Sequence, residues 1–372
     1  YYVEIDCPLQ DVLFRIERRG VLVDIGYLKP KGRVARRIMD EAIGELTFAN
    51  PNRKYINPGS TKQLGRLFYE DFGLPMEQKT SGGQSGIQKG STSEDVLISW
   101  VEREEIRIKD PDDEDETFVI PEAVKTCVRA ILKYRKHQKL KSTYIDGLTD
   151  RVNSNTGRVH GQMTQHIART GRLSHRNPNL ANIPRKENDP YGIRSAFVPE
   201  IGATLEEDWV MLVADYSQVE MMLAASNCGD ENMLEAIHSG KDLHCNTAAL
   251  MFGIPYDELV DTKRKKDAGL DLNGQEKDLV LKRQLAEQLD ISIREAASLQ
   301  ARFFSAFPTL KTHIEEIEEE TQETDAACTA LGRRRRLPNA SSPHSRREYY
   351  EALRQAFNFT IQGFASEIVK VA

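Results

Sequence analysis

Asp215 stands in the stretch WVMLVADYSQVEMMLAAS, directly after the apolar run Val210–Ala214 and ahead of residues with a helical pattern. A short apolar run of this kind reads as a buried strand, so the carboxylate falls where a strand ends and a helix begins. Two chemistries suit an acid there. It can cap the helix by accepting backbone N–H bonds, the commoner use, or it can be held on the strand end as a metal ligand. A second set of residues lies in EALRQAFNFTIQGFASEIVK, where Arg354, Asn358 and Gln362 fall at i, i+4 and i+8 on one helix face. All three present N–H donors. In a DNA minor groove, purine N3 and pyrimidine O2 place acceptors at nearly the same position in every base pair. A row of donors there tests pair geometry without reading the base. A solvated face would explain polar residues too, but amides beside Phe357, Phe359 and Ile361 are odd choices for solubility alone. The third set is HIARTGRLSHRNPNLANIP (166–184), in which Arg172 follows a glycine and precedes a turn rich in Asn and Pro. Loops of this composition commonly contact phosphate and sugar.

The elements that must position these groups follow from pattern. VLFRIERRGVLVD reads as a helix, a glycine break and a short strand, and Ser60 after Pro58-Gly59 as a helix N-cap. TSGGQSGIQKGSTS (80–93) reads as a flexible loop. EAVKTCVRAILKYRKHQKLKSTYIDGL reads as a long helix with one apolar and one basic side. After Asn153, short runs and turns suit a small sheet, helical patterns dominate from Glu231 to about Glu323, and a last helix starts near Arg346. Helical arm, sheet and helical insertion together make an α+β plan.

At 372 residues, two or three subdomains are expected. No apolar run approaches the ~18 residues needed to span a bilayer. The opening YYVEIDCPLQ has neither an initiator Met nor a signal-peptide plan, and reads as part of a longer protein. Cys7, Cys127, Cys228, Cys245 and Cys328 form no CxxC pair and read as free thiols. The net charge of −6 argues against a polyanion partner, but its distribution argues for one. Lys125–Lys141 holds seven cations and no acid, and Leu331–Arg354 holds seven Arg against two Glu, while six acids crowd 110–116. Segregated sign of this kind suits a protein that holds nucleic acid on one face.

In order along the chain, LKSTYIDGL, TGRLSHRNPNLANIP, VADYSQVEMMLAA, KDLHCNTAALMFGI, FFSAFPTLK, LGRRRRLP and R-x3-N-x3-Q resemble the polymerase domain of family A DNA polymerases, the bacterial polymerase I type. The resemblance implies an α+β fold of right-hand architecture, with a palm sheet, helical fingers and a helical thumb. It places a lead-in over 1–25, the thumb over 26–150, the palm over 151–230 and 329–372, and the fingers over 231–328. It implies template-directed DNA synthesis in replication or repair with two Mg²⁺ ions, on primer–template DNA and dNTPs. It further implies a monomer with no membrane association, open to replication accessory proteins, in the cytoplasm of a bacterial or virus-infected cell or in an organelle.

Residue by residue, Asp215 matches a metal-binding carboxylate and the Tyr216 carbonyl its neighbouring ligand. Ser217, Gln218, His244 and Arg283 match nucleotide-binding positions, and Glu220 the glutamate that excludes ribonucleotides. Arg135 and Lys139 match thumb cations on the DNA backbone. Arg172, Asn179 and Asn182 match primer–template contacts, and Arg354, Asn358 and Gln362 minor-groove readers. The sequence departs from the pattern in three places. The basic-aromatic fingers helix is absent around Gln284-Leu285, where a segment is expected between the two residues. The chain stops at Ala372, before the segment that carries the second palm carboxylate. His175, Arg176 and Ala181 replace the residues usual beside the primer. A single-subunit RNA polymerase and a catalytically inactive, polymerase-derived DNA-binding protein are the alternatives. Glu220 and the TGRLS motif argue against the first.

Overall fold

Cys7–Arg19 forms helix α1, and Gly20 ends it in the left-handed region at φ +64°. A Cβ at Gly20 would stand 2.7 Å from the Val159 carbonyl oxygen, so only glycine lets the chain turn here into strand β1 (Val21–Leu22). The structure is a computed structural model that describes residues 1–76, 90–108, 116–200, 209–268, 270, 273, 275 and 293–372. After β1 come α2 (Ile25–Ala49), α3 (Thr61–Arg66), α4 (Glu94–Glu102), β2 (Glu105–Ile108), β3 (Glu116–Val119) and α5 (Glu122–Lys139). A π-helical turn over Leu140–Asp146 carries α5 into the single turn α6 (Gly147–Thr149), so the long helix read from the sequence continues almost unbroken. Then follow β4 (Arg158–Val159), β5 (Gln162–Thr164), β6 (Ser174–Arg176), α7 (Val219–Cys228), α8 (Glu231–His238), α9 (Leu243–Phe252) and α10 (Tyr256–Asp267). The last elements are α11 (Ile293–Ala306), α12 (Pro308–Thr324), β7 (Ala326–Cys328), β8 (Arg334–Arg336) and α13 (Arg346–Val371).

Two compact units emerge. One is Tyr1–Arg15, Met163–Ser174 and Leu212–Ala372, and the other is Ile16–Gln162 and His175–Met211. The second unit holds all of 26–150 together with flanking pieces.

In the second unit, Leu28, Ala35, Met39, Ala42 and Leu46 recur every three, four or seven residues, and all are buried along α2. That spacing makes one apolar seam, against which α5 packs. Beyond Leu46 the seam joins a core of Leu64, Phe68, Leu97, Trp100 and Ile131. At its other end, Leu28 and Ala35 join Tyr144, Ile145, Tyr191 and Ile193. Ser60 caps α3, its hydroxyl accepting from the Gln63 N–H at 3.4 Å.

In the first unit, Ala224, Ala225, Met233, Phe307, Leu310 and Ile361 form one core, and Ile317, Ala327, Ala356 and Phe359 another. Buried Asp230 ties two helix starts together. It accepts from Met233 N–H at the start of α8 and from Thr309 N–H at the start of α12. Strands pair only in twos among the described residues: β1 with β4, β2 with β3 and β7 with β8 are antiparallel ladders.

The expected strand over 210–214 does not form. Residues 209–216 have no regular structure, and Val210, Leu212 and Val213 are 85%, 87% and 85% exposed. A strand exists only where a neighbour satisfies its N–H and C=O groups, and no described residue pairs with this run as a ladder. Among the described residues, no helix is long and apolar enough to cross a membrane.

Candidate active site and nucleic-acid surface

Asp215 ends the exposed apolar run, and its carboxylate is exposed, with no hydrogen bond or ion pair to any described residue. It is not a helix cap, because α7 begins at Val219 with no side-chain cap. The turn between them is set by Gln218, a non-glycine residue at φ 52°, ψ 29°. That left-handed conformation costs about 1–2 kcal/mol, and the Gln218 amide oxygen offsets it by accepting from Leu243 N–H at 2.8 Å. Gln218 thus anchors α7 to the start of α9. Asp242 caps α9 by accepting from Cys245 N–H at 2.9 Å, and its other oxygen accepts from Lys263 at 2.5 Å. Half-buried His244 lies on that capped first turn. Ser217 and Tyr216 are exposed, and Arg283 lies outside the described residues, as does the junction at 284/285.

Glu220, in the first turn of α7, is paired with Arg172. The two residues are 48 positions apart, and nothing in the sequence announces the pair. Arg172 is presented by Gly171, which sits at φ +81° with the Arg333 guanidinium in the space a Cβ would take. The Gly171 carbonyl accepts from the Ser366 hydroxyl at 2.8 Å.

Asp215 and the Tyr216 carbonyl offer hard oxygen donors of the kind Mg²⁺ takes, one or two carboxylates completed by water and phosphate. The donor chemistry therefore fits. The described residues contribute a single open carboxylate, and no three His, Cys, Asp or Glu side chains converge among them.

Helix α13 carries Arg354 and Asn358 exposed and Gln362 half-buried along one face, with no hydrogen-bond partner for any of these side chains among the described residues. Ser345 caps the helix, accepting from Glu348 N–H at 3.2 Å. Beside that face is a cavity of about 600 Å³ lined by Arg169, Arg333, Arg334, Arg335 and Arg336. Arg335 donates to the Gln355 side chain and lies 6.0 Å over the Phe359 ring. Burial, and then the like charge of Arg169, push its pKa down.

In the second unit, Lys139 is exposed, without a partner among the described residues. Arg135 is differently placed. Its guanidinium donates to the Pro58 carbonyl at 3.1 Å and the Thr92 carbonyl at 2.9 Å, tying the loops ahead of α3 and α4 together. Burial lowers its pKa. Asn182 is exposed and its carbonyl accepts from the Tyr144 hydroxyl at 2.5 Å. Arg194 donates to the Ile183 and Pro184 carbonyls at 3.1 and 3.0 Å, so Tyr144 and Arg194 hold the LANIP turn. Asn179 is half-buried, and its side-chain oxygen has no partner among the described residues. Tyr144 and Arg194 escaped the sequence reading, since a Tyr in a helix and an Arg in a loop carry no pattern of their own.

A family model described as DNA polymerase family A matches residues 35–372. The chain is 36% identical over 372 residues to the thermostable DNA polymerase I of Thermus filiformis, covering 100% of this chain and 40% of that protein. It is 33% identical over 380 residues to DNA polymerase I of Geobacillus stearothermophilus, covering 99% of this chain and 38% of that protein. The chain thus spans well under half the length of these relatives. Among solved structures, the POL domain of Pol1 from M. smegmatis, in complex with DNA primer-template and dNTP, superposes with a TM-score of 0.76 at 29% identity. That likeness covers 99% of this chain and 58% of that one.

Proposed function

Because this chain belongs to DNA polymerase family A and has the α+β fold of that family, we propose that it is the polymerase part of a DNA-directed DNA polymerase acting in replication or repair. Its substrates are primer–template DNA and dNTPs, the ligands held by the mycobacterial relative. The observation that carries the reading is that one compact unit leaves both an acid, Asp215, and a row of donors, Arg354, Asn358 and Gln362, open and unpartnered among the described residues.

The row on α13 donates to minor-groove acceptors at the primer end, which are present whatever the base pair. A correctly shaped pair is thereby held in place and a distorted one is not. Lys139 and the cations of α5 neutralise backbone phosphates. Asn182, on its anchored turn, and Asn179 contact primer and template, and Arg172 lies beside them in role. His244 and Ser217 face the triphosphate. Asp215 and the Tyr216 carbonyl would hold the chain's share of two Mg²⁺ ions. When bound, the metal neutralises charge on the attacking 3′-hydroxyl and the leaving oxygen. Glu220 crowds the sugar 2′ position, where a hydroxyl is the one feature separating a ribonucleotide from a deoxyribonucleotide.

Primer extension by the full-length protein with Mg²⁺ tests this. The expected result is extension with dNTPs well above rNTPs, and a rise in relative rNTP use in Glu220→Ala. Preference for rNTPs would assign an RNA polymerase. Salt-sensitive DNA binding with no extension would assign a binding protein.

A further inference from the structure

We infer that Arg172 is a positioning residue for sugar selection, holding the Glu220 carboxylate in the place from which it excludes a 2′-hydroxyl. The inference rests on the polymerase reading above.

A glutamate makes a poor wall by itself. Its side chain turns about several bonds, and fixing it costs rotamer entropy. The planar guanidinium of arginine presents its donors in a fixed fork, so pairing with a carboxylate sets direction as well as distance. Arg172 donates to Glu220 from an element remote in sequence, and both backbones beneath the pair are anchored. Under Arg172, the Gly171 N–H donates to the Ala168 carbonyl at 2.9 Å and the Gly171 carbonyl accepts from Ser366 at 2.8 Å. The Arg333 guanidinium fills the space where a side chain at position 171 would go. Under Glu220, Gln218 fixes the start of α7 to Leu243 N–H.

Stability is a weak reason for such a construction. The two side chains are 54% and 41% exposed, and exposed ion pairs contribute little to stability. What the anchoring does accomplish is a carboxylate of defined position on an open surface, on the residue whose size is to be read against a substrate. Arg172 was expected only as a primer–template contact. The pair gives it a second role, and the two roles make different predictions.

The test is the ratio of rNTP to dNTP incorporation efficiency in the full-length protein for wild type, Arg172→Ala, Arg172→Lys, Glu220→Ala and the Arg172→Ala/Glu220→Ala double variant. Removing the guanidinium should raise the ratio by up to about fivefold, the kinetic equivalent of an exposed ion pair. Arg172→Lys, which keeps the charge without the fork, should fall between wild type and Arg172→Ala, and it carries the test should Arg172→Ala fail to fold. The double variant should match Glu220→Ala within about twofold, because a holder has nothing to hold once the glutamate is gone. An unchanged ratio with both efficiencies lowered, or effects that multiply in the double variant, would reduce Arg172 to a DNA contact and overturn the inference. Absence of dNTP extension in wild type would instead overturn the polymerase reading itself, and this inference with it.

Discussion

Helices α5 and α13 carry the same signal in the sequence, cationic and amide side chains opposite an apolar stripe, and the fold uses the two rows in opposite ways. On α5, Lys125 pairs with Glu104 at 3.1 Å, Arg129 with Glu122 at 2.6 Å and Lys133 with Glu45 at 2.9 Å, while Arg135 is bonded to two backbone carbonyls. Of that row, Lys136 and Lys139 stand without a partner among the described residues. On α13, Arg354, Asn358 and Gln362 all do. Basic composition is therefore a poor guide to which helix meets a ligand. The better guide is which donors the fold leaves unsatisfied, because a buried or paired donor has already exchanged water for protein and has little to gain from a phosphate or a base edge. Exposed ion pairs such as Arg129–Glu122 can be traded for phosphate at a cost of about 0–1 kcal/mol. The carbonyl bonds of Arg135 release no second charge when broken, so they are the least tradable of the set.

The comparison breaks most visibly at the open groups. Asp215→Asn should lower nucleotide addition at least about a thousandfold, since roughly 4 kcal/mol or more of charge stabilisation depends on that carboxylate. Melting temperature and primer–template affinity should stay near wild type, because Asp215 bonds to none of the described residues that hold the fold. Incorporation close to the wild-type rate would remove Asp215 from the site. Next in size, Arg354→Ala or Gln362→Ala should slow single-turnover extension about a hundredfold at saturating DNA, the cost of misplacing a reactive terminus by ~1 Å. A defect confined to DNA affinity would make the α13 row a mere anchor.

The sequence held much of this. The helix seams, the Ser60 cap, the glycine break at Gly20 and the α13 donor row all depend on neighbours within a turn or two, and period and capping rules read such neighbours directly. The apolar run at 210–214 failed as a strand because strand formation depends on a partner that no local pattern specifies. The Arg172–Glu220 pair, the anchoring of Arg135 and the hold of Tyr144 and Arg194 on the LANIP turn were hidden for the same reason. Each joins residues remote in sequence, and a lone Arg or Tyr looks alike whether it faces solvent, a phosphate or a carbonyl. The family resemblance supplied roles for Arg172 and Arg135 but not the contacts those residues make inside the chain.

Engaged groups should show the reverse of Asp215, with stability lost first. Arg135→Gln removes two donors to Pro58 and Thr92, and should lower unfolding free energy by about 1–3 kcal/mol at the usual worth of such bonds. DNA affinity should fall as the two loops separate. The salt slope of binding decides between the roles, since losing one direct phosphate contact reduces it by about 1. An unchanged slope with weaker binding is expected for a residue that holds loops. A slope lower by about 1, with unfolding free energy intact, would return Arg135 to the DNA surface and erase the contrast between the helices.

The smallest effect concerns His137, near the end of α5, whose Nδ1 meets the Tyr191 hydroxyl. Burial first, and then Lys136 and Lys133, hold the ring below its ordinary pKa of 6.5. The neutral ring accepts from the Tyr191 O–H, and a protonated ring has no lone pair left at Nδ1 to do so. The unfolded chain thus takes up this proton at higher pH than the folded one. The stabilisation is fully present above about pH 6.5 and is lost as pH falls below it toward the folded value. Between about pH 7 and pH 5 the wild-type melting temperature should fall more steeply than that of His137→Asn, by the equivalent of one hydrogen bond, about 0.5–1.5 kcal/mol. Single-turnover extension at saturating DNA should be the same in the two proteins at pH 7, because His137 serves the fold of its own unit and stands outside the donor row. Parallel melting curves across that range would show that another group titrates there. A slower extension rate in His137→Asn would show that α5 contributes to chemistry as well as to hold.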